Sequence, residues 1–269
     1  MPIGVFDSGV GGLTVLKALA ELMPAEDFLY LGDTARLPYG TKSPESVIRY
    51  ALQSSKSLVE RGIKLLTVAC NTASAAALPA LEAAYPGIPV TGVIRPGARA
   101  ACALNKAGGM AVIATESTVK NGAYQKAILE LCPDMRVEAQ PCSLFVALAE
   151  EGWTRGELVE RIVEKSLAPL FERFAPDLPD SLVLGCTHFP LLAQAIANVA
   201  GPSVAIIDSA MTTAREVRDL LKARDLLRTG PRAGTTAFFA TDGRDRFARV
   251  GGIFLGRELS PQDVTLVDL

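Results

Sequence analysis

Lys64-Leu65-Leu66-Thr67-Val68-Ala69-Cys70-Asn71-Thr72-Ala73-Ser74 and Ser181-Leu182-Val183-Leu184-Gly185-Cys186-Thr187-His188-Phe189-Pro190 share one construction. In each, an apolar run of buried-strand length ends in a cysteine, with hydroxyl and amide groups behind it at the start of a predicted helix. A helix N-terminus offers unpaired N–H groups and a partial positive charge, which hold a carboxylate and favour thiolate over thiol. Two such cysteines in one chain suggest a pair of facing acid/base groups.

Outward from these segments, short Val/Ile/Leu-rich runs alternate with helical patterns. IGVF (3–6) precedes a helix over 13–22, FLYLG (28–32) one over 44–61, KLLTVA (64–69) one over 72–85, and PVTGVI (89–94) one over 97–107. MAVIAT (110–115) precedes a helix over 118–132, RVEAQPC (136–142) helices near 143–150 and 155–174, SLVLGC (181–186) one over 190–200, and VAIID (204–208) one over 211–228. Strand and helix in alternation mean parallel sheets covered on both faces, so the fold class is α/β. A further strand is expected in TTAFFATDG (235–243), from its Thr and Phe content, and a last one near 264–267.

That is more strands than one compact sheet of this length usually carries, and an internal echo shows where to divide them. IGVFDSGVGGLTVLKAL (3–19) and MAVIATESTVKNGAYQKAI (110–128) share the layout strand, small polar turn, helix, and each is followed by a cysteine strand. The expectation is two pseudo-symmetric lobes, each a mainly parallel sheet flanked by helices, with the active site between them. The first comprises 1–95 and 208–269. The second, 96–207, is inserted, with the boundary at Arg95-Pro96-Gly97.

Composition narrows the function. The 269 residues are 49% hydrophobic and 21% charged, which describes a globular chain, neither disordered nor of low complexity. A net charge of −2, from 27 basic and 29 acidic residues that do not cluster, leaves no footprint for nucleic acid and points to a small-molecule ligand. No apolar stretch approaches the roughly 18 residues of a membrane span. The start, Met1-Pro2-Ile3-Gly4-Val5-Phe6-Asp7, lacks the basic and apolar regions of a signal peptide. Five cysteines, odd in number and without a CxxC pair, argue against a disulfide framework or a zinc site. A cytoplasmic protein with reduced thiols and no metal is expected.

Each motif has a plainer reading. Asp7-Ser8-Gly9-Val10-Gly11-Gly12 follows a strand and opens a helix as a dinucleotide loop does, with Asp33 near the place of a ribose-binding acid. The fit is poor, because Thr14 takes the third small position and Asp7 would repel a pyrophosphate. Cys70 and Cys186 taken singly would be packed core, as Cys102, Cys132 and Cys142 are expected to be. Their matched settings argue for chemistry instead. His188, the only histidine, is two positions from Cys186 and reads as a proton donor, orienting group or substrate contact. Asp7 and Asp33 could be mere N-caps, and Glu150 and Glu151 a solvated helix end.

Together FDSGVGGLTVL (6–16), LGDTARLPYG (31–40), ACNTAS (69–74), ATESTV (114–119) and LGCTHFPLL (184–192) resemble the glutamate racemases, within the cofactor-independent aspartate/glutamate racemases. The resemblance runs from residue 3 to about residue 228. It implies a two-lobed α/β fold that racemises L-glutamate to D-glutamate for peptidoglycan without a cofactor, as a homodimer, with Cys70 and Cys186 on opposite sides of the substrate. Carried over residue by residue, Asp7, Ser8, Tyr39, Gly40, Asn71, Thr72, Thr187 and His188 line the glutamate site, joined by Asp33, Thr115 and Thr118. Asp7, Asp33, Glu150 and His188 assist proton transfer. Cys70 deprotonates the D isomer and Cys186 the L isomer.

Three positions depart from the pattern: Phe189 where Tyr is frequent, Leu37 where Cys or Val is, and Arg95, which could alter the hinge between lobes. Of the adjacent acids, Glu150 is chosen over Glu151. No lysine has a Schiff-base context, so pyridoxal phosphate is not implied. Starting at Ile3, the first strand leaves no room for the N-terminal extension through which some relatives respond to a cell-wall precursor, so no such activation is expected. The alternatives are aspartate or hydantoin racemisation on the same scaffold, or a non-catalytic ligand-binding module whose cysteines only pack.

Overall fold

The computed structural model describes residues 1–104 and 108–269. It opens with β1 (Ile3–Asp7), α1 (Leu13–Leu22), β2 (Phe28–Gly32), α2 (Pro44–Val59), β3 (Leu65–Val68), α3 (Asn71–Ala84), β4 (Val90–Gly92) and α4 (Ile94–Ala103). The same rhythm continues with β5 (Met110–Ala114), α5 (Glu116–Asn121), α6 (Ala123–Leu131), β6 (Val137–Pro141), α7 (Leu144–Glu150), α8 (Glu157–Phe174), β7 (Ser181–Gly185), α9 (Ala193–Ala200), β8 (Ala205–Asp208) and α10 (Ser209–Ala223). The chain closes with β9 (Thr236–Ala240), α11 (Arg244–Leu255) and β10 (Val264–Leu266). Among the described residues no helix is long and apolar enough to cross a membrane.

The strands form two sheets, β10-β9-β2-β1-β3-β4 and β6-β5-β7-β8, in which every pairing is parallel. The order β2-β1-β3-β4 recurs as β6-β5-β7-β8, so β1 matches β5 and β3 matches β7. In each sheet the order reverses about its first strand, which makes β1/β3 and β5/β7 the switch points where open α/β sheets leave a crevice at their carboxyl ends. Asp7 ends β1, Thr115 follows β5, and the two cysteines follow β3 and β7. β1, β3, β5 and β7 are buried throughout, as continuous apolar runs in parallel sheets require.

Several boundaries differ from the sequence reading. α4 starts at Ile94, so Arg95-Pro96-Gly97, expected as a boundary, forms its first turn. A proline there breaks no hydrogen bond, because first-turn N–H groups have no partner within the helix. The predicted end of that helix at 105–107 lies outside the described residues. The helix expected over 118–132 divides at Gly122, whose φ of +68° places it in the left-handed region. The helix expected from 190 begins as a 3-10 turn, Phe189–Leu192. The one expected to reach 228 ends at Ala223. The helix α11 has no counterpart among the expected elements. The division into lobes 1–95 with 208–269, and 96–207, remains our proposal.

At the amino-terminal ends of β2 and β3, away from the crevices, Lys64 Nζ donates to both Glu26 oxygens (2.8 and 2.7 Å) and to the Leu226 carbonyl (2.6 Å). Arg228 N–H donates to the same Glu26 carboxylate at 2.7 Å, tying the segment after α10 to the sheet. Both side chains are buried. Glu26→Ala is therefore expected to cost about 3–5 kcal/mol, because it strands the lysine charge. Urea denaturation checks this, and a loss below about 1 kcal/mol, the range of exposed ion pairs, would contradict it.

Candidate active site

The two switch points open into one cavity of about 370 Å³, within the range of about 300–1,000 Å³ for small-molecule clefts. From the first sheet's end come Ser8, Tyr39, Gly40, Cys70, Asn71 and Thr72; from the second come Thr115, Cys186, Thr187 and His188, with Glu150 from α7. Both cysteines thus face the same space.

Cys70 is the N-cap of α3, and its sulfur accepts from Ala73 N–H at 3.4 Å and lies 3.5 Å from Ser8 Oγ. The helix N-terminus alone would lower its pKa. Burial pushes the thiol up to about 12, with the negative charge of Asp7 adding to it, so desolvation outweighs the helix end. The expectation of a thiolate stabilised by α3 is corrected accordingly: Cys70 is held as a thiol.

The setting of Cys186 is different. It leads into the 3-10 turn through His188 and caps no α-helix. Its sulfur lies 3.8 Å from His188 Nδ1, and His188 Nε2 lies 3.0 Å from Glu150 Oε1. Burial alone would depress the imidazolium, but hydrogen bonds to Cys186 and Glu150, with the charge of Asp7, hold the His188 pKa up at about 10. The ring is therefore charged near neutrality, and an imidazolium beside a sulfur is the partner a thiolate needs. In turn, the hydrogen bond from His188, with Arg246 adding to it, holds the Glu150 carboxyl below its ordinary range. Glu151, just past the end of α7, is exposed and outside the cavity lining, whereas Glu150 lines it.

Not every expected contact reaches the cavity. Asp7 is buried behind it, with Oδ2 accepting from Gly9 N–H at 2.8 Å, Oδ1 unpartnered, and its pKa raised by burial. Asp33 stands behind Tyr39, accepting from the Tyr39 hydroxyl (2.5 Å), Arg36 Nε (2.6 Å) and Thr241 Oγ1 (3.0 Å). It meets the cavity only through Tyr39. Thr118 is likewise set back, its hydroxyl 3.3 Å from Thr72 Oγ1 and 3.0 Å from Thr115 Oγ1. That hydroxyl cluster joins α3 to α5. Asn71 Oδ1 accepts from Tyr124 OH at 2.7 Å, leaving Nδ2 buried without a partner.

The glycine turn after β1 serves close approach. A Cβ on Gly11 would overlap Thr187 Oγ1 and stand 2.5 Å from the His188 ring. Gly11 thus lets the second sheet's residues press against the first, which replaces the dinucleotide reading.

Leu37, Pro38, Thr41, Ser143, Val146 and Ala147 also line the cavity, in addition to the site residues the sequence points to. Ser143, Val146, Ala147 and Glu150 recur at helical spacing, a signal present in the sequence once Glu150 is chosen. Of the departures, Phe189 is fully buried, edge-on to Phe145 at 5.4 Å, and Leu37 joins the wall. Arg95 pairs at the surface with Glu130 across α4 and α6 (3.6 Å). All five cysteines are free, and Cys102, Cys132 and Cys142 lie outside the cavity lining. Among the described residues no three His, Cys, Asp or Glu side chains gather as metal ligands would.

Comparison with known proteins gives the same outline. Residues 3–217 match the family described as Asp/Glu/Hydantoin racemase. A glutamate racemase of Geobacter metallireducens is 50% identical over 267 residues, covering 99% of this chain and 96% of the relative. The crystal structure of a glutamate racemase isoform from Bacillus anthracis superimposes with a TM-score of 0.92 at 38% identity, over 100% of this chain and 97% of that one. That of the Francisella tularensis glutamate racemase in complex with D-glutamate does so at 0.89 and 36%, over 99% and 97%.

Proposed function

The chain belongs to the Asp/Glu/Hydantoin racemase family, as an isomerase alongside its glutamate racemases, and from that premise we propose that it racemises glutamate with Cys70 and Cys186 as paired acid and base. The observation that carries this reading is that two cysteines at the ends of topologically equivalent strands open into one cavity. Inverting Cα requires removing a weakly acidic proton from one face and delivering one to the other. One rigid base cannot easily serve both faces, whereas two facing thiols can.

In the direction from L to D, the Cys186 thiolate takes the Cα proton while the Cys70 thiol gives its own to the opposite face. The C–H electron pair rests meanwhile on the planar carbanion, spread into the substrate carboxylate. That assignment follows the family resemblance, and it agrees with a thiol at Cys70 and an imidazolium beside Cys186. Hydrogen bonds from Ser8, Asn71, Thr72 and Thr187 stabilise the developing negative charge, with the unpartnered Asn71 Nδ2 an available donor. In the reverse direction Cys70 must lose its proton, and the buried carboxylate of Asp7 is placed to assist. Tyr39, Gly40, Thr115 and Thr118 complete the pocket, with Asp33 acting through Tyr39. The same reading places the enzyme in the cytoplasm as a homodimer supplying D-glutamate for peptidoglycan.

Incubation with L-glutamate in D2O, without added cofactor, tests the mechanism. At early times D-glutamate is expected to carry deuterium at Cα while recovered L-glutamate stays mostly protiated, because the donating thiol has exchanged with solvent and the abstracting one has not. Product retaining the substrate's own proton, or equal early labelling of both isomers, would overturn the two-thiol assignment. Absence of any Cα exchange would indicate a binding module. Parallel incubations with aspartate and a hydantoin test the substrate, since faster turnover of either would overturn glutamate.

A further inference from the structure

Glu150 has a second partner that nothing in the two-thiol chemistry requires. Its Oε1 meets His188 Nε2, while its Oε2 accepts from Arg246 Nη2 at 2.6 Å. Arg246 lies in the first turn of α11, near a turn fastened to the end of the first sheet. There Thr34 Oγ1 donates to the Asp242 carbonyl at 2.5 Å, Asp242 N–H donates to Thr34 Oγ1 at 2.9 Å, and Thr241 Oγ1 donates to Asp33 at 3.0 Å. Glu150, by contrast, ends α7, between β6 and β7 of the second sheet. The ion pair therefore crosses from one sheet's layer to the other beside the cavity. Further along α11, at a spacing that returns to the same helix face, the Phe254 ring stands edge-on to His188 with centroids 5.0 Å apart. One helix thus touches the His188–Glu150 pair at two points.

We propose that Arg246 is a positioning residue for the Cys186 half of the reaction: anchored on the first sheet through α11, it fixes the Glu150 carboxylate, which in turn aims His188 at the Cys186 sulfur. The hydrogen bonds of Cys70, to Ser8 and Ala73, involve none of these groups, so the clamp acts on the Cys186 side. Glu150 is largely enclosed while the arginine is half exposed (side-chain exposures 15% and 55%), which sets the size of the effect well below that of a group touching substrate.

The proposal takes its effect on turnover from the two-thiol reading, so the test has an arm that does not depend on turnover. In the intact protein, Arg246→Gln is expected to lower kcat about 3- to 10-fold with KM within about twofold. In the absence of substrate it slows carboxamidomethylation of Cys186 by iodoacetamide, followed by peptide mass mapping, and leaves the rate at Cys70 unchanged. Arg246→Lys, which keeps a cation without the fork of donors, restores more than half of both losses. A glutamine variant with wild-type kcat, unaltered Cys186 alkylation, or equal slowing at both cysteines would overturn the clamp. If Cys186→Ala stayed active while the alkylation difference held, the two-thiol reading would fall and the clamp would stand.

Discussion

Cys70→Ala and Cys186→Ala are each expected to lower racemisation by about 10²- to 10⁴-fold, the worth of a positioned acid or base. Each variant removes one face's proton carrier, so the loss appears in both directions of turnover. Both side chains are buried, but each substitution removes one sulfur at the cavity wall, where the loss widens an existing space and leaves no new enclosed void. The fold therefore survives, with one difference between the two. Cys70 caps α3 through its contact with Ala73 N–H, so its alanine variant should lose an additional ~1 kcal/mol of stability. Chirality assays on glutamate, with thermal melts as the control for folding, check both parts. Retention of more than a tenth of wild-type activity in either variant would exclude the role of that cysteine.

His188→Gln is expected to cost about 10²-fold in turnover, at the low end for an acid/base group, because the sulfur it serves remains in place. It also changes how stability depends on pH. The folded-state pKa, near 10, lies above the value of about 6.5 for an unfolded histidine. A raised pKa means the folded state binds the proton more tightly, so the stabilisation is complete below about pH 6.5 and is lost as pH rises through about 10. The wild-type urea midpoint should fall across that window, and the glutamine variant should lose this part of the fall. Parallel curves for the two proteins would show that His188 carries no such charge.

The alternation of apolar runs with helical periods is local information, and it was enough to identify parallel sheets, the internal echo and the two cysteine strand ends. A buried parallel strand must be apolar along its whole length, so β1, β3, β5 and β7 are legible from composition alone. The segment 235–243 was harder to read, because β9 is only partly buried and is defined by pairing with β2, some two hundred residues earlier. α11 is not legible in the sequence. Its apolar face is interrupted by arginines and glycines whose burial or exposure only the neighbouring layers decide.

At the site, residue types and spacing selected Cys70, Cys186 and His188, because acid/base chemistry demands those groups and a strand end is where an open α/β sheet presents them, whereas Glu150, at a helix end, came only through the family resemblance. Their charge states depend on the surroundings. A thiol at a helix N-terminus is driven toward thiolate by the dipole and toward thiol by desolvation. Which dominates at Cys70 depends on how much water the second sheet excludes and on the carboxylate of Asp7. Likewise Asp33 reads as a strand-end acid, but three donors hold it behind Tyr39. The sequence by itself determined the fold class, the paired thiols and the histidine beside one of them. Only the tertiary structure decided that Cys70 stays a thiol, which acid meets the imidazole, and that α11 returns to hold it, since burial and charge pairing are set by residues far apart along the chain.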